Sequence, residues 1–165
     1  MKVHSSESTV NCPFCAIDIS GKAFLESENF IAIYNIAPVI PGHSLIISRQ
    51  HFKSMMDLPE ILLTEMFVFA RKVTRLLTVA FSADGFDWSI QDGISAGQTV
   101  AHLHLHIVPR KPKDLPDSNL WFKQVAENEF QLLDSMNRQK LNENEFLSIT
   151  THLRKFAKSK NKENS

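Results

Sequence analysis

The stretch AHLHLHIVPR, residues 101–110, constrains this chain more than any other. Histidine alternates with leucine and isoleucine. In an extended strand, successive side chains point to opposite faces. His102, His104 and His106 therefore share one face, and Leu103, Leu105 and Ile107 share the other. The apolar side belongs against a core. On the opposite side, neighbouring imidazoles stand ~6.6 Å apart at a rise of about 3.3 Å per residue, and together they line a groove.

Three uses of such a face can be weighed. It can be the polar side of an edge strand. It can be a three-histidine metal site, which leaves the nearby Gln91, Gln98 and Thr99 without a purpose. It can carry one nucleophilic imidazole, with the others orienting it and holding an anion, since neutral histidine is a competent nucleophile near pH 7. The flanking QDGISAGQTV favours the third use. Gln91, Gln98 and Thr99 are neutral hydrogen-bond donors, and Gly93 and Gly97 permit tight turns and close backbone approach. Such groups suit phosphate oxygens where arginine and lysine clamps are absent.

The rest of the chain reads as one α+β domain. Its 165 residues suit a single domain. FLESENFIAI, residues 24–33, predicts two short strands around a turn at Glu28-Asn29, and SLIIS, residues 44–48, predicts another. Between them YNIAPVIPGH, with two prolines and a glycine, reads as a loop. Leu62, Met66, Phe69, Val73, Leu76 and Ala80 fall on one face of a long helix, with Pro59 suited to its first turn. FDWS after Gly85 alternates as a strand. Residues 121–140, with Trp121, are weakly helical. Asn142 and Glu145 form a capping box ahead of a helix whose stripe is Phe146, Ile149, Leu153 and Phe156. The expected organisation is a flexible N-terminus over 1–11, one domain over 12–157 and a disordered charged tail over 158–165.

Charge narrows the function classes. Lys plus Arg and Asp plus Glu number 18 each, so no general attraction to nucleic acid or an acidic membrane is expected. The first residues lack the apolar run of a secretory signal, and no stretch approaches the ~20 apolar residues of a membrane span. A soluble, cytoplasmic protein is expected. Cys12 and Cys15 are too close in sequence for a disulfide to stabilise much. The βαβ context of a redox Cys-x-x-Cys is missing, and the spacing is that of a zinc half-site.

HLHLHIV matches the histidine triad pattern, and QDGISAGQTVAHLHLHIVPRK with the upstream PVIPGHSLII resembles the fragile histidine triad branch of that superfamily over roughly residues 22–112. The resemblance implies an antiparallel sheet of about five strands with a long helix and a C-terminal helix, in a homodimer. It implies that His104 attacks the α-phosphorus of a nucleotide to form a nucleotidyl-histidine, which water then resolves to a nucleoside monophosphate. His106 would contact the α-phosphate, and His43 would support the nucleophile's orientation. Gln91 and Thr99 would hold phosphate, and Gln98 would reach the bridging oxygen or leaving group. Asn35 would bind ribose, while His102 would fix the pocket from behind. One ring nitrogen of His104 should donate to a backbone carbonyl so that the other is free to attack. Phe30 and Ile33 are candidates for the base site.

Glutamine replaces the third histidine in the related transferases, so His106 points to hydrolysis. The expected substrates are diadenosine tri- or tetraphosphate. A nucleoside phosphoramidase and a nucleotide-binding sensor are the alternatives. Many bacterial and archaeal triad proteins resemble this chain's Cys-x2-Cys-x35-His-x50-His arrangement, which makes His51 and His102 the partners of Cys12 and Cys15 at a structural zinc. A closed four-ligand site leaves the metal no catalytic position. No organic cofactor is implied.

Overall fold

A computed structural model describes residues 12–15, 21–115 and 139–163. Strands β1 (Ala23–Glu26), β2 (Phe30–Tyr34) and β3 (Ser44–Ser48) precede the helix α1 (Glu60–Ala80). Strands β4 (Gly85–Ser89) and β5 (His104–Arg110) and the helix α2 (Glu143–Glu163) follow. The sheet has the order β1-β2-β3-β5-β4, and every neighbouring pair is antiparallel. Among the described residues this is the expected α+β architecture, with five strands and two long helices.

Alternation in the strands divides the apolar residues between two faces. Phe30, Ala32, Tyr34, Ile46, Leu105 and Ile107 pack with Met66, Phe69, Val73 and Leu77 of α1 and with Phe146 and Leu153 of α2. Ala23, Ile31, Ile33, Leu45 and Ile47 form a second cluster, against which Phe14 packs. Residues paired directly across an antiparallel ladder lie on the same face. Leu45 pairs with His106 and Ile47 with His104, so these histidines rise from the second face. Phe30 is thereby placed in the helix-side core, away from the base site considered for it, whereas Ile33 shares the histidine face.

Strand β5 begins two residues later than the alternation suggests. The N–H of His102 turns back to Val100 O at 2.7 Å, and that of Leu103 donates to Phe52 O at 2.6 Å. His102 thus lies just ahead of the strand, and its ring is free to take a direction of its own. At the other end β5 continues through Pro109, past its last pair with β3 at Ser44–Ile107. Among the described residues, β4 alone flanks it there, a position that tolerates a missing N–H.

The buried face of α1 is Met66, Phe69, Ala70, Val73, Thr74 and Leu77, with Leu62, Leu76 and Ala80 at its margins. Thr74 is buried because its hydroxyl is satisfied twice, donating to Ala70 O at 2.8 Å and accepting from Trp88 Nε1 at 2.8 Å. Pro59 is the N-cap, one residue before the helix.

The capping box of α2 is closed by two reciprocal 2.9 Å bonds between Asn142 and Glu145. This helix runs to Glu163, through the stretch expected to begin a disordered tail at 158. Residues 143–163 contain no glycine or proline, so nothing local ends it there. Arg154 ties it to the start of the sheet through Ala23 O and Gly21 O. The N-terminal residues 1–11 and the weakly helical region with Trp121, except its last two positions, lie outside the described residues. Among the described residues, no helix is long and apolar enough to cross a membrane.

Candidate active site and metal centre

His104 is 6% exposed at the first position of β5. Its Nδ1–H donates to the carbonyl oxygen of His102 at 2.7 Å, which leaves the Nε2 lone pair unprotonated. Burial pushes the imidazole below its ordinary pKa, and the bond to His102 opposes that push. Near neutral pH the ring is therefore uncharged and carries its lone pair on Nε2.

A second chain of hydrogen bonds sets the neighbouring histidine. Val39 N–H donates to His43 Nδ1 at 3.2 Å, so the proton of His43 resides on Nε2. That nitrogen is 2.9 Å from His106 Nδ1, which accepts from it. His106 must then carry its own proton on Nε2, as a donor to an anion. The His104 and His106 ring centroids are 5.0 Å apart. A lone pair and a proton donor thus stand side by side on one strand. Asn35 is buried beside the pair, its Nδ2 3.3 Å from His43 Nε2 and its Oδ1 accepting from Ala37 N at 2.9 Å.

The turn before His43 depends on Gly42. Its φ is +98°, and a Cβ there would stand 2.3 Å from Pro109 Cγ. Its N–H donates to the Tyr34 hydroxyl at 3.0 Å. The sequence PGH thereby brings the loop after β2 against β5 and delivers His43 to His106.

The ring of His102 faces elsewhere. Its Nε2 is 2.8 Å from Ser48 O and 3.1 Å from Ser48 Oγ. Donation to that carbonyl leaves Nδ1 as the lone pair, and Nδ1 lies 3.4 Å from both Cys12 Sγ and Cys15 Sγ. His51 Nδ1 is 3.2 Å from Cys15 Sγ. All four donor atoms fall within 4.8 Å of one another. Tetrahedral zinc, with bonds of about 2.3 Å to sulfur and about 2.0 Å to nitrogen, needs its ligand atoms roughly 3.3–3.8 Å apart. The set fits such an ion in number and type, and its sulfur–nitrogen distances of 3.2–3.4 Å lie near that spacing. The Ser48 carbonyl supplies the outer hydrogen bond that orients a ligating histidine.

Burial, with Cys12 alongside, pushes the Cys15 thiol up to about 11. A dication among these atoms reverses that preference, because it binds the thiolate. Burial lowers His102 to about 4, against the bond to Ser48, so this ring is neutral and competent as a ligand.

Gln91, Gln98 and Thr99 lie on the loop between β4 and β5. Gln98 Oε1 accepts from Gly93 N at 2.8 Å, and Gln98 Nε2 donates to Lys53 O at 2.9 Å. Its carboxamide keeps one N–H for a ligand rather than two. Asp92 Oδ2 accepts from Ser54 Oγ at 2.9 Å and from Met55 N at 2.8 Å. Gln91 lies against Gly97, whose left-handed φ of +87° makes the bend. Thr99 is exposed.

Three residues here carry no role in the sequence analysis. Ser48 orients His102, Asp92 pins the loop, and Phe14 meets the histidines edge-on, 5.5 Å from His104 and 5.7 Å from His102 between ring centroids. Only Phe14 left a local signal. It stands between the two cysteines, so any ligand set that places them on His102 also carries Phe14 to the same ring.

A family model described as HIT domain matches residues 17–113. The bis(5'-nucleosyl)-tetraphosphatase [asymmetrical] of Schizosaccharomyces pombe is 35% identical over 119 residues, covering 72% of this chain and 65% of that protein. The chain thus spans just under two thirds of that relative's length. The bis(5'-adenosyl)-triphosphatase of Dictyostelium discoideum is 33% identical over 102 residues, 62% of this chain and 68% of that protein. Among solved structures, a Zn-bound histidine triad family protein from Mycobacterium smegmatis is similar with a TM-score of 0.68 and 29% identity, over 93% of this chain and 98% of that one.

Proposed function

The chain belongs to the HIT family, and from that premise we propose that it is a nucleotide hydrolase cleaving dinucleoside polyphosphates at the α-phosphate through a nucleotidyl-histidine. One observation carries this function. The His104 Nε2 lone pair is set by the His102 carbonyl, and a proton donor, His106 Nε2, is set beside it by His43.

Nε2 of His104 attacks the α-phosphorus, and the bond from phosphorus to the bridging oxygen breaks. The electron pair leaves with a nucleoside di- or triphosphate, which takes its proton from solvent. Nδ1 keeps its proton throughout, and its bond to the His102 carbonyl steadies the positive charge that develops on the ring. Water then attacks phosphorus, the P–N bond breaks, the lone pair returns to Nε2, and a nucleoside monophosphate departs. His106 Nε2–H donates to a non-bridging oxygen of the α-phosphate in both steps. The remaining N–H of Gln98 serves the bridging oxygen, Gln91 and Thr99 serve phosphate, and Asn35 serves ribose. The base lies on the apolar shelf of Ile33, Leu45 and Phe14 beside the histidines.

Cys12, Cys15, His51 and His102 would hold a zinc ion, whose contribution would be structural. With that ion bound, these four side chains would tie residues 12–15 to the sheet and fix the histidine whose carbonyl orients the nucleophile. Such a thiolate site needs reduced cysteines, which accords with a cytoplasmic location. The protein acts as a homodimer. Among the described residues, edge strand β4 pairs on one side only, and exposed Phe67, Val68 and Phe86 stand around Trp88 on the adjoining surface.

The function is tested by product analysis with diadenosine triphosphate, diadenosine tetraphosphate and adenosine phosphoramidate. Each dinucleotide should release AMP, and His104→Asn should lose at least about a thousandfold in rate while still binding nucleotide. Undiminished turnover by that variant removes the nucleophile. Much faster cleavage of the phosphoramidate makes the protein a phosphoramidase, and nucleotide binding without turnover makes it a sensor.

A further inference from the structure

The loop from Gln91 to Val100 contains two glycines with positive φ, Gly93 at +90° and Gly97 at +87°. Glycine at such positions gives a loop many conformations unless contacts select one. Here contacts select one, and the side chains of Asp92 and Gln98 dock it on one short segment. Asp92 Oδ2 takes Ser54 Oγ and Met55 N, while Gln98 Nε2 takes Lys53 O. Within the loop, Gln98 closes a ring on Gly93 through its backbone N–H and its side-chain oxygen, at 3.1 and 2.8 Å. The receiving segment is itself anchored. Phe52 O accepts from Leu103 N at 2.6 Å, next to the strand that carries His104, and His51 is held at the cysteines.

We propose that Asp92 is a positioning residue for the reaction, docking this loop on residues 52–55 so that the last free N–H of Gln98 is already placed for the leaving group when substrate arrives. The proposal rests on the dinucleoside polyphosphate hydrolase function above. The two bonds to the Asp92 carboxylate are charge-assisted and hold the first half of the loop. The Gln98–Lys53 bond holds the second half. Without Asp92 one end is released, and part of the ordering of Gln98 must then occur during binding or in the transition state.

The consequence is selective. Gln98 and Thr99 serve the bridging oxygen and the phosphates beyond it, whereas His104 and His106 serve the α-phosphate. A substrate whose leaving group has no further phosphate, and spreads its charge into an aromatic ring, depends little on the loop. The p-nitrophenyl ester of AMP is such a substrate, and diadenosine triphosphate is the opposite case.

Asp92→Ala should lower kcat/KM for diadenosine triphosphate by about tenfold or more, and for the p-nitrophenyl ester by less than about threefold. Asp92→Asn keeps an oxygen that can accept both bonds and should restore values within about threefold of the parent on both substrates. Amide hydrogen exchange supplies a readout independent of turnover. Asp92→Ala should speed exchange over residues 93–100 and leave α1 and the sheet unchanged, and Asp92→Asn should not. Equal losses on both substrates, or unaltered exchange in Asp92→Ala, overturns the proposal. If the parent protein cleaves neither substrate, the hydrolase function fails, and the exchange result still decides whether Asp92 docks the loop.

Discussion

His102 serves two neighbours through different atoms. Its ring links Ser48 to the cysteine sulfurs, and its carbonyl holds the ring of His104. A side chain fixed at both ring nitrogens restrains its own backbone, so a metal bound at the cysteines and the placement of His104 would be coupled through one residue. Purified protein should contain about one zinc per chain. Chelation should lower the melting temperature, and Cys12→Ser should lower both zinc content and melting temperature. A zinc-free protein that melts at the same temperature with and without chelator would remove the metal from this account. The histidine alternation made the three imidazoles visible, and the separate roles expected of them came from the family resemblance. Alternation assigns faces only while the chain is a strand, and His102 precedes the strand.

Among the elements, the end of β5 is held by a small ionic cluster. Arg110 donates through Nε and Nη2 to Asp114, both at 2.9 Å, and through Nη1 to Asp87 on β4 at 2.6 Å. The turn KPKD is thereby closed onto the strand, with Lys111 N also donating to Asp114 at 2.9 Å. The hydrogen bonds from Arg110 hold the Asp114 carboxyl below its ordinary value of 3.8, against the effect of burial. A depressed carboxylate contributes stability above its unfolded pKa and loses that contribution as pH falls through the folded one. Asp114→Asn should therefore be less stable than the parent at pH 7, by about 1–3 kcal/mol. The difference should shrink below pH 3.8. Urea unfolding at several pH values measures it, and a gap that stays constant into acid would exclude the ion pair as its source. The capping box of α2 was legible because its two residues meet within one turn. The Arg110 cluster was not, since Asp87 reaches it across the sheet.

For the whole molecule, the β4 edge, paired on one side among the described residues, and the exposed aromatic surface beside it argue for a second copy. Sedimentation should give twice the chain mass of 18.8 kDa. Val68→Glu, on the exposed side of α1, should shift the population toward the single-chain mass. A parent protein that sediments as one chain at high concentration would refute the homodimer. At this scale the chain declared its strands, its two helices, the apolar side of its histidine strand and its family. Those follow from periods of two and 3.6 residues, from caps and from short motifs, each written within a few consecutive positions. Tertiary structure alone decided that Phe14 meets His104, that Ser48 aims His102, that Phe30 belongs to the helix-side core and that Asp92 docks the loop between β4 and β5. Phe14 and His104 are joined by no local rule. Their contact depends on where the intervening strands carry the chain, and that path is settled by which faces the sheet buries.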